Sequence, residues 1–288
     1  MRSAKWLGVV LSFALLSACG FQMDPAAEGK VSVVAAFYPL QFLAQRIGGD
    51  RVYVVNLVKP GAEPHDLELA PRDVGLISEA DVVVYLRGFQ PAVDEAIIGE
   101  AKRTSLDVTA IEPLLNGGDP HIWLDPVRFA TIGDRLAERL AAIDPSSAGD
   151  YRRRAADLRR DLNALDTEYE NGLKHCKRHE IVTSHEAFGY LADRYNLTQI
   201  AINGLNPDAE PSAKRLADVS DLARAHGVTT IFFESLVSPK VADTLAREVG
   251  ARTAVLDPIE GVEDQSKHDY LSVMRVNLAQ LRTALDCR

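Results

Sequence analysis

Three of the seven histidines lie where a predicted strand gives way to a loop or a helix. His65 lies in the loop that leaves one predicted strand, and His185 directly follows another. His121 lies in a proline-bounded loop before a predicted helix, and Asp257 follows a further strand and is fixed by Pro258. Ligands of open α/β sheets bind outside the carboxyl ends of the strands, so these four side chains could meet in one crevice.

Together the four groups would offer three imidazole nitrogens and one carboxylate oxygen, a donor set that suits tetrahedral Zn²⁺. They are separated by 56, 64 and 72 residues, so no local ligand spacing supports the assignment. A single histidine before a helix is more often a cap or a satisfied polar group. Asp257 before Pro258 could equally form a turn. Position and residue type therefore indicate a metal site without establishing it.

Other polar residues give weaker signals. Glu68 and Glu234 could orient a ligand imidazole from behind, or they could simply form turns and ion pairs. His175 and His179 flank Cys176 and could imitate a metal site, but solvated side chains are the simpler interpretation. The sequence has no Gly-x-Gly-x-x-Gly or phosphate loop and no nucleophile in an elbow motif.

The elements that must hold these groups alternate between strands and helices. The predicted strands are 31–36, 52–57, 81–85, 105–108, 180–184, 199–202, 229–233 and 253–256. The predicted helices are 40–47, 72–79, 92–102, 127–143, 147–174, 187–195, 212–226, 239–249 and 270–285. Such alternation is typical of parallel sheets covered by helices on both faces. We therefore expect an α/β fold with two lobes, each with a mainly parallel sheet flanked by helices.

The helix predicted at 147–174 stands apart, because this stretch has no proline and carries a helical stripe of leucines. It could be an ordinary surface helix, but its place between two α/β halves favours a rigid strut. We place the N-terminal lobe at 30–146, the linking helix at 147–175 and the C-terminal lobe at 176–288.

Composition sets broad limits. The chain has 288 residues, 47% hydrophobic and 25% charged, which fits a globular protein of one large or two ordinary domains. The formal charge of −9 argues against sequence-independent binding of nucleic acid, which needs a basic face. We expect no nucleic-acid partner.

Four stretches of the sequence resemble the motifs of one protein family. They are residues 60–68 around His65, 119–125 around His121, 183–191 around His185 and 255–258 around Asp257. In this order they resemble the solute-binding proteins of bacterial zinc and manganese ABC importers, and the resemblance runs from about Val31 to the C-terminus. It implies that these four residues are the metal ligands and that two α/β lobes are joined by one long helix.

The resemblance also bears on the metal. Family members with histidine at the third ligand position tend to bind zinc, whereas manganese binders often have a carboxylate there. His185 therefore favours Zn²⁺, in keeping with the preference of imidazole for zinc and of oxygen ligands for manganese. Mn²⁺ stays as the alternative, and Glu186 beside His185 is a reason to keep it. The His-rich loop of many zinc-binding relatives is missing, because residues 115–119 contain no histidine.

The N-terminus has the features of a secretion signal. Arg2 and Lys5 precede an apolar run of eleven residues, too short to span a membrane, and small residues follow. The sequence Leu-Ser-Ala-Cys ending at Cys19 resembles the lipobox of bacterial lipoproteins, in which the cysteine is acylated and becomes the mature N-terminus; a plain cleaved signal is the alternative. We therefore expect a signal peptide at 1–18, a lipid on Cys19, a flexible tether at 19–29 and an extracytoplasmic protein anchored to the cell membrane.

If Cys19 carries lipid, two cysteines remain, Cys176 and Cys287. An even pair in an oxidising compartment predicts a disulfide, with two free thiols as the alternative. This bond would tie the end of the chain to the start of its second half.

The resemblance implies capture of a divalent transition metal, Zn²⁺ before Mn²⁺, and its delivery to an ABC permease by a protein that we expect to be a monomer. Four protein ligands leave no open position for a reacting water, so we expect no enzymatic activity. Two alternatives stay open: a secreted zinc hydrolase, with Glu186 or Glu234 as its general base, and a surface adhesin.

Overall fold

The computed structural model describes residues 27–115 and 118–288. The predicted signal peptide, the predicted lipid site at Cys19 and most of the predicted tether lie outside the described residues. Across the described ranges, no helix combines the length and the apolar character needed to cross a membrane.

The first half of the chain forms a four-stranded sheet. Its strands are β1 (Val31–Ala35), β2 (Val52–Asn56), β3 (Val82–Tyr85) and β4 (Ser105–Asp107), in the order β2-β1-β3-β4. Every pairing is parallel, with Val33 of β1 opposite Val54 of β2 and Val82 of β3. Valine-rich runs suit central strands that are covered on both faces. The parallel order places the carboxyl ends of all four strands at one edge of the sheet.

The second half repeats this arrangement. Its strands are β5 (Glu180–Thr183), β6 (Thr198–Ala201), β7 (Thr230–Phe233) and β8 (Arg252–Val255), in the order β6-β5-β7-β8 and all parallel. All eight predicted strands are present, with ends within two residues of those expected. The prediction of two α/β lobes with parallel sheets is confirmed.

Nine α-helices cover the sheets in the described residues. They are α1 (Tyr38–Gly48), α2 (Pro71–Glu79), α3 (Pro91–Ala96), α4 (Pro126–Ile143), α5 (Ala148–Leu173), α6 (Gly189–Arg194), α7 (Ala213–Ala225), α8 (Lys240–Val249) and α9 (Tyr270–Leu285). Two of them, α3 and α6, are at least three residues shorter than predicted. After Ala96 the chain continues as a π-helical turn over Ile97–Ala101, and α6 begins only at Gly189 because the residues before it form the loop that carries His185.

Helix α5 is the predicted long connection between the lobes. Its 26 residues give a length of about 39 Å at 1.5 Å per residue. One stripe is buried, formed by Tyr151, Ala155, Leu158, Leu162, Leu165, Tyr169 and Leu173. This stripe packs against α1, α4 and α9, which come from both halves of the chain. The helix is therefore an internal part of the core, and the lobes are braced along its length.

The hydrophobic core continues from one lobe to the other. Phe129 of α4 lies 4.6 Å from Tyr270 of α9, centroid to centroid. Tyr270 Oη donates a hydrogen bond of 2.5 Å to the carbonyl of Trp123, and Trp123 Nε1 donates one of 2.7 Å to the carbonyl of Pro258. All four side chains are buried or nearly so. Because separating the lobes would expose these groups, we expect the lobes to move little relative to each other.

The predicted disulfide between Cys176 and Cys287 is present. It joins residues 111 apart, linking the chain just before β5 to the end of α9. The bond lies at the amino end of β5, whereas the candidate site described below lies at the carboxyl ends of the strands.

Replacing both cysteines with serine should lower the free energy of unfolding by about 2–5 kcal/mol, because a long loop in the unfolded chain is no longer closed. Urea unfolding followed by circular dichroism measures this change. An unchanged urea midpoint would contradict the predicted stabilisation.

Candidate metal centre

Four donor atoms converge between the two sheets. They come from His65, His121, His185 and Glu260, and all lie within 4.8 Å of one another. Glu260 Oε1 is 2.8 Å from His121 Nε2 and 3.2 Å from His65 Nε2, and His185 Nε2 is 3.3 Å from His121 Nε2. Three imidazoles and one carboxylate, each turned towards a common point, form a donor set that suits Zn²⁺.

The elements that supply these donors come from both lobes. His65 lies in the loop after β2, and His121 lies in the turn before the short 3₁₀ helix Ile122–Leu124. His185 follows β5 by two residues, and Glu260 follows β8 by five. The group therefore lies at the carboxyl ends of the strands, as parallel sheets lead one to expect.

The structure brings the three predicted histidines together but not Asp257. Glu260 takes the fourth place, and the carboxylate of Asp257 is used elsewhere. Its Oδ1 accepts a hydrogen bond of 2.7 Å from the Ile259 amide, and its Oδ2 accepts one of 2.6 Å from Ser235 Oγ. Asp257 thus forms the turn that its position before Pro258 allowed as an alternative. Glu260 was missed, although an acidic residue three positions on in the same loop was a signal that could have found it.

Carboxylates behind two of the imidazoles fix their orientation. Asp119 Oδ1 is 2.7 Å from His121 Nδ1 and also accepts a hydrogen bond of 2.9 Å from the His121 amide. Glu234 Oε1 is 2.6 Å from His185 Nδ1 and also accepts a hydrogen bond from Ser184 Oγ. Each carboxylate favours the proton on Nδ1, so that Nε2 is the nitrogen that faces the common point and is the one available to a metal.

The two residues predicted to orient a ligand imidazole, Glu68 and Glu234, differ in exposure and in their contacts. Glu234 contacts a candidate ligand and is only 2% exposed. Glu68 is exposed and makes no hydrogen bond or ion pair with any residue that the structure describes. Asp119, which the sequence argument did not single out, fills the corresponding role for His121.

The carboxylates also control the charge of the group. Burial alone would lower the pKa of His185, but its hydrogen bonds to Glu234 and Glu260 outweigh burial and raise it to about 10. Burial likewise opposes protonation of His121, yet Asp119 and Glu260 raise its pKa. Burial alone would raise the pKa of Glu260, but hydrogen bonds from the three histidines bring it well below its ordinary value. Without a metal, the group therefore favours a negatively charged Glu260 and a protonated His185.

A second acidic residue lies beside this group. Glu63 Oε1 accepts a hydrogen bond of 3.1 Å from the His65 amide and lies 4.0 Å from His65 Nε2. Burial and the nearby charge of Glu260 raise the pKa of Glu63 to about 8. Glu63 is therefore mostly neutral at pH 7, and Glu260 carries the negative charge that faces the imidazoles.

Apolar rings and the opposite lobe enclose the group. The Phe89 ring lies 4.7 Å from the His65 ring, and the Trp123 ring lies 5.2 Å from that of His121. His121 and His185 have no exposed surface. Dry surroundings strengthen charge interactions inside the group.

The second lobe also holds the loop that carries His121. Tyr190 Oη donates a hydrogen bond of 3.1 Å to the carbonyl of Asp119 and accepts one of 2.8 Å from the Leu115 amide. At Gly189 a side chain would collide with the Asp119 carboxylate. A larger residue at position 189 would displace this carboxylate, so the orientation of His121 depends on contact between the lobes.

Replacing Glu234 with alanine should weaken zinc binding by about 10- to 100-fold, because His185 loses the acceptor that sets its proton and its orientation. The exposed Glu68 offers a matched control, and Glu68→Ala should bind zinc as the unaltered protein does. Competition with a fluorescent chelator measures both affinities. Equal affinities for the two variants would rule out the orienting role of Glu234.

Comparison with known proteins gives consistent matches. The model of the family described as "ZnuA: Zinc-uptake complex component A periplasmic" matches residues 33–284. The high-affinity zinc uptake system protein ZnuA of Bacillus subtilis is 33% identical in an alignment that covers 98% of this chain and 98% of that protein. The zinc-binding protein AdcA of Streptococcus pyogenes serotype M1 is 37% identical in an alignment that covers 90% of this chain. The chain spans only 57% of the length of that AdcA.

Solved structures agree with these matches. The Zn(II)-bound ZnuA-like domain of Streptococcus pneumoniae AdcA is 36% identical and superimposes with a TM-score of 0.79. The match covers 90% of this chain and all of that domain. The two-lobed fold is therefore shared with a domain whose solved structure holds Zn(II).

Proposed function

This chain belongs to the ZnuA family of periplasmic components of zinc-uptake complexes, and on that premise we propose that it captures Zn²⁺ outside the cytoplasmic membrane. The captured ion would pass to the permease of an ABC importer. We further propose that the protein is a monomer held at the membrane by a lipid on Cys19. Lipoprotein relatives such as the zinc-binding lipoprotein AdcA of Streptococcus pneumoniae support the anchor.

One observation carries the proposal: three imidazoles and a carboxylate meet between the lobes with their donor atoms within 4.8 Å of one another. Burying three imidazoles and a carboxylate is costly unless they are paired or bind a metal. We propose His65, His121, His185 and Glu260 as the ligands. Glu260 replaces Asp257, which the sequence predicted as the fourth ligand.

The donor set favours Zn²⁺ over Mn²⁺. Three of the four donors are imidazole nitrogens, which suit zinc, whereas manganese prefers oxygen. Glu186, the neighbour that kept manganese open, is exposed, and its amide donates to the carbonyl of Gly204. It is not among the grouped donors.

Metal analysis and competitive titration test the proposal. Protein purified without added metal and then exposed to equal Zn²⁺ and Mn²⁺ should retain one zinc ion per chain. His185→Ala should lose that ion during gel filtration. Stoichiometric manganese would overturn the choice of metal, and zinc retained at unchanged affinity by His185→Ala would overturn the site.

The hydrolase alternative is tested on the same samples. A hydrolytic zinc site keeps one coordination position for water, whereas four protein donors would fill a tetrahedral shell. The zinc-loaded protein should therefore show no hydrolysis of ester, peptide or phosphoester substrates above that of the metal-free protein. Turnover that depends on zinc would favour the hydrolase.

A further inference from the structure

We infer that Asp257 is a positioning residue: it holds a strained turn that aims Glu260 at the three histidines. The inference concerns the turn Asp257–Glu260, which follows β8, and it rests on the function proposed for the site. The carboxylates of Asp257 and Glu260, three residues apart, then have separate tasks: the first holds the turn and the second binds the metal.

The strain lies at Ile259, whose φ angle is +61°. Within the described residues, Asn196 and Asp286 are the other non-glycine residues with positive φ, and their short polar side chains tolerate that region. Isoleucine is branched at Cβ, so positive φ is a true outlier there. Ile259 is also fully buried, so packing holds its side chain while the backbone is twisted. Such outliers persist only where surrounding contacts fix them.

Asp257 supplies the contact made inside the turn itself. Its Oδ1 accepts the hydrogen bond of 2.7 Å from the Ile259 amide. Its Oδ2 accepts the bond of 2.6 Å from Ser235 Oγ, which ties the turn to the loop after β7. Both oxygens are therefore engaged, and neither belongs to the donor group.

Two neighbouring side chains fix the rest of the turn. Asn277 pairs with the backbone of Asp257 on both sides: its Oδ1 accepts from the amide at 2.9 Å, and its Nδ2 donates to the carbonyl at 2.6 Å. Trp123 Nε1 donates to the carbonyl of Pro258 at 2.7 Å, from the opposite lobe. Ile259 is thus the residue that connects this fixed segment to Glu260.

The conformation at Ile259 decides where Glu260 points. Rotation of Ile259 to negative φ would redirect the chain after it and move Glu260 Oε1 from its place 2.8 Å from His121 Nε2. The hydrogen bond from the Ile259 amide to Asp257 fixes the Pro258–Ile259 peptide plane, from which the direction of the following chain is set, and packing of the buried Ile259 side chain holds the φ angle itself. Asp257 therefore acts on the metal through Glu260 and needs an acceptor atom for that task, not a negative charge.

Asparagine at position 257 distinguishes a positioning role, which needs a hydrogen-bond acceptor, from a role as a charged metal ligand. It keeps an acceptor for the Ile259 amide, and its NH₂ group can donate to Ser235 Oγ, but it is a poor zinc ligand. We expect Asp257→Asn to bind zinc within about threefold of the unaltered protein. Asp257→Ala should lose about 10- to 100-fold, the usual effect of removing a group that orients a ligand. Glu260→Gln should lose at least as much as Asp257→Ala.

Asp264 provides a matched control in the same stretch of chain. Its Oδ1 accepts a hydrogen bond of 3.1 Å from the Ser266 amide, the same two-residue turn, but at an exposed position. Asp264→Ala should leave zinc affinity unchanged. Chelator competition gives the zinc affinities of the four variants and of the unaltered protein. The melting temperature of each metal-free protein shows whether the fold is retained.

The outcomes are distinct. Equal losses in Asp257→Asn and Glu260→Gln would overturn the inference, because Asp257 would then act through its charge or as a ligand. Unchanged affinity in Asp257→Ala would also overturn it. If Asp257→Ala does not fold, the asparagine variant alone decides between the two roles. Failure of the proposed function looks different, because the unaltered protein would then not bind zinc, or Glu260→Gln would bind it unchanged.

Discussion

Replacing His121 with alanine should lower the affinity for Zn²⁺ by roughly 50- to 1000-fold. A four-ligand zinc site is worth about 10–16 kcal/mol, or roughly 2.5–4 kcal/mol for each ligand. His121 is central to the group, because its Nε2 lies 2.8 Å from Glu260 Oε1 and 3.3 Å from His185 Nε2. It also has no exposed surface, so water cannot easily take its place.

The affinity is measured by chelator competition, with His179→Ala as the control. His179 is an exposed histidine just before β5, and its replacement changes the histidine count without touching the group. Metal-free His121→Ala should still unfold cooperatively, but added zinc should no longer raise its melting temperature. A zinc-induced rise equal to that of the control would contradict the assignment of His121 as a ligand.

The fold was predictable because its strands are short apolar runs with clear ends. Val82–Tyr85 is fully buried, and parallel strands covered on both faces read as continuous hydrophobic sequence. Helix ends were less predictable. Ala187 and Phe188 were predicted as the start of a helix, yet they belong to the loop that carries His185. The His185 carbonyl accepts hydrogen bonds from Thr183 Oγ1 and Gln199 Nε2, and such tertiary contacts can override local helix preference.

The site was predictable as far as strand position could reveal it. His65, His121 and His185 each follow a strand or lie in a rigid loop at one edge of a sheet. The choice between Asp257 and Glu260 depends on the backbone angle of Ile259, which no pattern of residue types indicates. Asp119 was missed although it lies two residues before His121, because its hydrogen bond to His121 Nδ1 depends on how this loop folds.

The inter-lobe contacts give the site its rigidity. Tyr190 of the second lobe holds Asp119 of the first, and Trp123 of the first holds Pro258 of the second. Two of the four proposed ligands, His121 and Glu260, therefore depend on groups from the opposite lobe. A site built this way is preorganised for the ion, and so binding costs little further ordering.

Zinc binding should release protons, and the affinity should keep rising with pH through the neutral range. In the metal-free protein the carboxylates of Glu234 and Glu260 raise the pKa of His185 to about 10, and Asp119 and Glu260 raise that of His121. At a pKa of about 10, His185 holds its proton at pH 7, and zinc must displace that proton to reach the nitrogen lone pair. Ordinary imidazoles, with a pKa of about 6.5, would be deprotonated above pH 7 and the affinity would level off there.

Calorimetric titration at pH 7 in two buffers of different ionisation enthalpy counts the released protons, and chelator competition from pH 6 to 8.5 gives the slope of the affinity. The apparent heat should differ between the buffers, and the affinity should still increase between pH 7 and 8.5. Glu234→Gln supplies a sharper test, because a neutral amide no longer favours the imidazolium of His185. That variant should release fewer protons and show a shallower slope, even though its affinity is lower. The same heat in both buffers, together with a flat affinity above pH 7, would mean that the imidazoles are already neutral and that the carboxylates only orient them.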